Sequence, residues 1–210
     1  MLGTRGFPGV QGGVEKHCEA LSVELARLGC DVTVFTRRPY VDPSVTAYHG
    51  VKLRALPAWR QRAAEAFLHT LLGVAAARRL DPDVVHIHGI GPGLLAPWAR
   101  LLGLRVVVTT HGPDYVRKKW GRLAKVVLRL GERAAARWAD RVIAISRHIA
   151  DDLRARTGRA AVVIPNGVAA PAGPTGGSVL DRYGLEPRRF FLAVGRLVPE
   201  NGFQDLIAAC

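Results

Sequence analysis

DVVHIHGIGPGLLAPWARLLGLRVVVTTH, residues 83–111, reads as a strand, a helix and a second strand. Val84–His88 and Val106–Thr109 are short, nearly continuous apolar runs rich in β-branched residues, the mark of strands buried on both faces. Leu94–Leu102 between them is long enough for a covering helix. Strand, helix and return strand is the parallel unit of an α/β fold.

Working outward, the same rhythm repeats. Val32–Phe35, Val51–Leu56, Val142–Ile145 and Val162–Ile164 read as further strands. Helices are expected at Val14–Leu28, Arg60–Leu80, Leu123–Ala139 and Arg147–Thr157. In the first, Val14, Cys18, Leu21, Leu25 and Leu28 recur in steps of four and three, and Gly29 stops it. Ser146 is a natural N-cap for the last. The whole predicts a doubly wound parallel sheet with helices on both faces. Such a sheet needs a first strand, yet only Met1 and Leu2 precede Gly3, so the chain is expected to start late. Phe190–Val194 reads as another strand, and the helix from Phe203 has barely begun at Cys210. The run of Pro, Gly, Ala and Thr at Ala169–Ser178 marks a boundary, giving a first domain over 1–168, a linker over 169–188 and the start of a second domain over 189–210.

Composition narrows the classes. At 210 residues, 49% hydrophobic and 22% charged, the chain can bury a core and is not disordered. Its 3 cysteines form no CxxC pair and no zinc spacing, which fits a reducing cytoplasm without a disulfide framework. No apolar run reaches the roughly 20 residues needed to cross a bilayer. The net charge of +13 draws the surface to phosphorylated ligands, anionic lipid or nucleic acid without choosing among them.

Two groups of residues carry chemistry. Gly3-Thr-Arg-Gly-Phe-Pro-Gly-Val-Gln-Gly-Gly-Val-Glu runs straight into the first helix, so free N–H groups and the positive end of a helix dipole face any anion there. Gly12 and Gly13 would let a phosphate approach the backbone. The pattern is neither GxGxxG nor GxxxxGK[ST], and Thr36, Arg37 and Arg38 stand where a ribose-binding acid would follow the second strand, which disfavours NAD and ATP. His86, His88 and His111 lie at or just past strand ends, at the carboxyl edge where open α/β sheets hold ligands. His111, followed by Gly112, is open to donate to a sugar hydroxyl or a phosphate. His86 and His88 share a strand face, compatible with a zinc pair or with core histidines. Neither paired carboxylates for glycoside hydrolysis nor a GxSxG elbow is present.

Six segments then fall in one order: Gly12-Gly13-Val14-Glu15; Asp83-Val84-Val85-His86-Ile87-His88-Gly89; Thr110-His111-Gly112; Ala139-Asp140-Arg141-Val142-Ile143-Ala144-Ile145-Ser146; Ile164-Pro165-Asn166-Gly167-Val168; Val194-Gly195-Arg196-Leu197. In these the chain resembles glycosyltransferase family 4. The resemblance implies the GT-B architecture, two Rossmann-like domains facing across a cleft. It also implies retaining transfer of a sugar from a nucleotide-diphosphate sugar to a glycan or lipid-linked acceptor, with no cofactor or bound metal. It places Gly12 and Gly13 against the donor diphosphate, His111 beside the donor sugar as the catalytic contact, and Arg196 on the diphosphate from the second domain. The sequence departs from the family at Glu200-Asn201-Gly202, where a lysine usually precedes the glycine, which removes one phosphate-binding cation. The family's paired-glutamate segment would lie beyond Cys210, so this chain alone is expected to show no transfer.

One helix bears on partners. Lys118, Arg122, Lys125, Arg129, Arg133 and Arg137 line up at helical spacing, with Trp120, Leu123, Val127, Leu130 and Trp138 to the other side. The apolar side is expected to pack on the sheet, leaving the stripe to solvent or to an anionic membrane surface. That would make the protein cytoplasmic and, through helix 118–137, peripheral. No helix-turn-helix, RNP-like strand or zinc finger supports nucleic-acid binding. A non-catalytic module that binds nucleotide sugar or acceptor is the other alternative. The donor, the acceptor and the acceptor loops, such as Arg37–His49 and Pro113–Arg122, carry no legible code.

Overall fold

The computed structural model describes residues 1–58, 64–117, 120–167, 178–195, 197–198 and 201–209. By contact the chain divides into two compact units, Met1–Val168 and Ala169–Cys210.

The first unit is a Rossmann-like α/β layer structure. Strands β1 (Thr33–Arg37), β2 (Ala47–Tyr48) and β3 (Val51–Leu56) form one sheet in the order β1-β3-β2. Strands β4 (Val85–His88), β5 (Val106–Thr110), β6 (Arg141–Ala144) and β7 (Val162–Val163) form a second sheet in strictly sequential order. Every pairing is parallel except β2 with β3. Met1 and Leu2 lie between the two sheets and bond to both. The Met1 nitrogen donates to the Thr33 carbonyl, and Phe35 N–H to the Met1 carbonyl at 3.1 Å. On the other side Leu2 N–H reaches the His86 carbonyl at 2.8 Å, and His88 N–H the Leu2 carbonyl at 2.9 Å. Two residues thus join β1 to β4.

Helices α1 (Gly13–Arg27), α2 (Ala64–Arg78), α3 (Ala96–Leu101), α4 (Arg122–Trp138) and α5 (Arg147–Thr157) cover both faces. Neighbours on one strand show it: Val34 packs with Phe7, Cys18, Val51 and Leu53, whereas Phe35 joins the larger core of Leu2, Val74, Ile87, Val106, Val108, Ala135 and Val142. Side chains of this size stabilise by about 1.5–3 kcal/mol each when fully buried. Gly131 lets α4 sit directly on the turn after β4, because a Cβ there would lie 2.1 Å from the Ile90 carbonyl oxygen. The buried carboxylates are partnered: Glu65 accepts from Arg37 at 3.0 Å, and Glu132 from Arg156 at 3.0 and 3.1 Å and from Tyr115.

Ser146 caps α5, its Oγ accepting from Ile149 N–H at 3.2 Å. Ser146→Ala is expected to cost about 1 kcal/mol and to lower the melting temperature by a few degrees in a calorimetric scan.

The expectations fail at specific places. Leu94–Leu102 is a 3-10 turn, Pro92–Leu95, followed by the shorter α3. Leu28 is exposed, since α1 ends at Arg27. The loop expected over 37–49 contains β2, whose antiparallel pairing with β3 the apolar pattern did not announce. The first residues of the helix expected over 60–80 lie outside the described residues, as does Lys118 of the basic stripe. The apolar side of α4 does not pack on the sheet: Leu123, Val126, Val127 and Leu130 are exposed, while small Gly131, Ala135 and Ala136 make the contact instead. In the second unit, part of the expected linker is helix α6 (Ser178–Arg182), and α7 (Phe203–Ala209) forms as expected. Phe190–Val194 is no strand; Phe191, Leu192 and Val194 are exposed, and no described residue of that unit offers a ladder to pair with.

Candidate functional site

The glycine-rich loop, the first turns of α1 and the carboxyl ends of β4 and β5 converge. Arg5 folds back across the loop: its Nε donates to Glu15 Oε1 at 2.9 Å and its terminal nitrogen to the Gln11 carbonyl at 2.6 Å. Gly12 has φ +152°, and a Cβ on it would lie 2.0 Å from a Glu15 oxygen and 2.8 Å from the Arg5 guanidinium. A glycine is therefore needed to keep that ion pair tucked behind the loop. Gly13 opens α1 and faces empty space. No side chain caps α1, so its leading N–H groups face outward with the positive end of the dipole. Burial raises the Glu15 carboxyl, but the Arg5 hydrogen bond and charge win and hold it below its ordinary value.

Four imidazoles stack beside this turn. His17, one turn into α1, lies edge-on to His111 at 5.5 Å between centroids and to His88 at 5.9 Å. His86 lies tilted against His88 at 4.2 Å between centroids, and His88 stacks on His111, its Nδ1 meeting His111 Nε2 at 3.3 Å. His86 Nε2 is held by Thr109 Oγ1 at 2.7 Å. Burial, with mutual repulsion, lowers His111 to about 4 and His86 to about 3, and carries His88 well below its usual range. All are neutral at physiological pH, so they act as hydrogen-bonding groups, not as cations. His88 Nε2 is buried with no protein partner. The tautomer that strands no N–H places the proton on Nδ1, donating to His111 Nε2. His111 then carries its own proton on Nδ1.

Of the residues the sequence singled out, Gly12, Gly13 and His111 are drawn to one edge through His17, with His86 and His88 behind them. Arg196 lies outside the described residues. Among the described residues no three His, Cys, Asp or Glu side chains stand where they could share a cation. His86, half-buried, and His88, buried, both belong to the imidazole cluster.

The family model described as Glycosyltransferase Family 4 matches residues 11–170. The chain belongs to glycosyltransferase family 4. It is 28% identical over 220 residues to TuaC of Bacillus subtilis (strain 168), named as a teichuronic acid biosynthesis glycosyltransferase, covering 89% of this chain and 55% of that protein. It is also 28% identical over 223 residues to the GDP-mannose-dependent alpha-(1-6)-phosphatidylinositol monomannoside mannosyltransferase of Mycolicibacterium smegmatis (strain ATCC 700084 / mc(2)155), covering 100% of this chain and 56% of that protein. Its fold resembles that of Anabaena Alr3699/HepE, solved in complex with UDP, with a TM-score of 0.56 and 16% identity over 85% of this chain and 48% of that one. The family 4 chain spans about half the length of the relatives it matches.

The candidate site contains two residues that sequence reasoning passed over. Arg5 sat inside the quoted loop, but nothing local signalled that it would turn inward to Glu15. His17 follows Gly13 by one helical turn, a spacing that brings it back to the face beside the loop. That spacing was the available signal.

Proposed function

We propose that the protein is a nucleotide-sugar-dependent glycosyltransferase that moves a sugar to a glycan or lipid-linked hydroxyl with retention at the anomeric carbon. The observation that carries this is the open, uncapped start of α1 at Gly12–Gly13 beside the neutral His111, at the sheet edge of a family 4 chain. The N–H groups there suit the oxygens of a diphosphate, and Arg196 would add a fork of donors to the same group. His111, neutral and with its proton on Nδ1, suits a sugar hydroxyl. Stabilising the departing diphosphate and holding the sugar in place are the two terms such a site supplies. No metal enters this mechanism. The likeness to a structure solved with UDP and to a GDP-mannose-dependent enzyme supports a nucleotide-diphosphate donor without choosing its base. The proposed reaction is cytoplasmic, on the side where such donors are made.

Calorimetric titration with UDP-, GDP- and dTDP-sugars tests the reading on the protein at the full length its gene encodes. One of them is expected to bind and to be turned over when an acceptor is supplied. Absence of binding by well-folded protein would remove the reading. Binding without turnover would leave a nucleotide-sugar module in its place.

A further inference from the structure

We propose that α4 is a docking surface for an anionic phospholipid membrane, in which its apolar strip enters the interface and its arginines meet the headgroups. Leu123, Val126, Val127 and Leu130 recur at steps of three and four, and all are exposed, Leu123 by 78%. A surface helix ordinarily turns such a strip inward. Here the inward face is taken by Gly131, Ala135 and Ala136, and Gly131 brings the helix so close to the Ile90 carbonyl that no larger side chain fits between.

Charge selects the occupant. Arg122, Arg129, Arg133 and Arg137 are exposed along the edge of the strip. The helix's one acidic residue, Glu132, is buried and already neutralised by Arg156, so the outer face carries cations alone. At the C-terminal end the exposed Trp138 and Arg137 line a recess of about 430 Å³ with Arg100, Arg141 and Arg159, where Asp140 is the one carboxylate. An apolar strip edged by arginines, with a tryptophan at its end, is the composition of a helix lying in the membrane interface. A second protein chain would require carboxylates to match the arginines, and α4 of a second copy of this chain offers none outside. No described helix is long and apolar enough to cross a bilayer, so the contact is peripheral. The inference stands independently of the transferase reading.

Sedimentation with unilamellar vesicles tests it. Purified protein is expected to pellet with phosphatidylcholine vesicles containing about 30 mol% phosphatidylglycerol at about 0.1 M salt, to stay in solution with pure phosphatidylcholine, and to be released at about 0.5 M salt. Each cation near such a surface contributes about fivefold in binding, so Arg129→Glu with Arg133→Glu is expected to weaken it by about thirtyfold or more. Leu123→Asp with Leu130→Asp should weaken it about tenfold while leaving the melting temperature within a few degrees, since both side chains are exposed. Tryptophan placed by Leu123→Trp is expected to shift its emission to the blue on anionic vesicles. The proposal falls if anionic vesicles do not bind, if the leucine variants bind as tightly as the parent, or if duplex DNA binds more tightly than the vesicles. It falls equally if centrifugation shows a lipid-free dimer that Leu123→Asp dissociates. His111→Ala should leave vesicle binding unchanged, so loss of nucleotide-sugar binding and loss of membrane binding are read apart.

Discussion

Acidification from pH 7 to about 5 is expected to unfold the protein. His69 and His111 titrate at about 4 in the folded state and His86 at about 3, and His88 is held well below its usual range, each driven down first by burial. In the unfolded chain an imidazole titrates near 6.5. The folded values are depressed, so the stability of the neutral forms is complete above about pH 6.5 and drains away as the pH falls toward the folded values. Each group withdraws about 1.4 kcal/mol per pH unit within that window. By pH 5 His69, His86 and His111 together remove about 4–6 kcal/mol, and His88 acts in the same direction, a loss comparable to the stability of a marginal domain. The melting temperature should fall steeply below pH 6. His69, whose Nε2 donates to the Thr36 carbonyl at 3.2 Å, lies in α2 away from the imidazole stack. His69→Gln is therefore expected to make the acid limb shallower. A melting temperature at pH 5 within a few degrees of that at pH 7 would contradict the account.

Replacing His111 by Ala is expected to lower transfer by about 100- to 1000-fold, the range for removal of one fixed donor from a reacting centre. The loss should fall on kcat more than on KM. Affinity for the free nucleoside diphosphate should stay within about threefold, because the proposed contact is with the sugar and not with the phosphates. The parent's rate should be level from pH 7 to 8.5, since an imidazole that titrates at about 4 does not change state there. A His111→Ala protein that transfers within fivefold of the parent would remove His111 from the reaction.

The central strands were legible because they are largely buried: Val85 and Ile87 in β4 and Val106–Val108 in β5 announce themselves by apolarity alone. The histidines at their ends were legible for the same reason, as polar residues that interrupt an apolar run at a fixed edge. What escaped depends on contacts remote in sequence. Arg5 finds Glu15 only after the loop folds back. The strand expected over 190–194 has the right composition but no described partner, and a ladder is a property of two segments. The largest misreading was α4. Its leucines and valines follow helical periodicity, but periodicity states that a face is apolar and not what lies against it. Gly131 and the alanines, weak signals by hydropathy, decided which side met the sheet.

The placement of Met1 and Leu2 bears on the order in which the protein assembles. Strands β4 to β7 are neighbours in sequence and in space, so each ladder closes over a single helical crossover. Residue 2 must find residue 87, a far longer search and a costlier closure. The glycine loop hangs from that late-forming junction. Pulse-labelled hydrogen exchange should therefore find the β5 and β6 amides protected before those of Leu2 and His88, so that the chain acquires its scaffold first and its binding edge last.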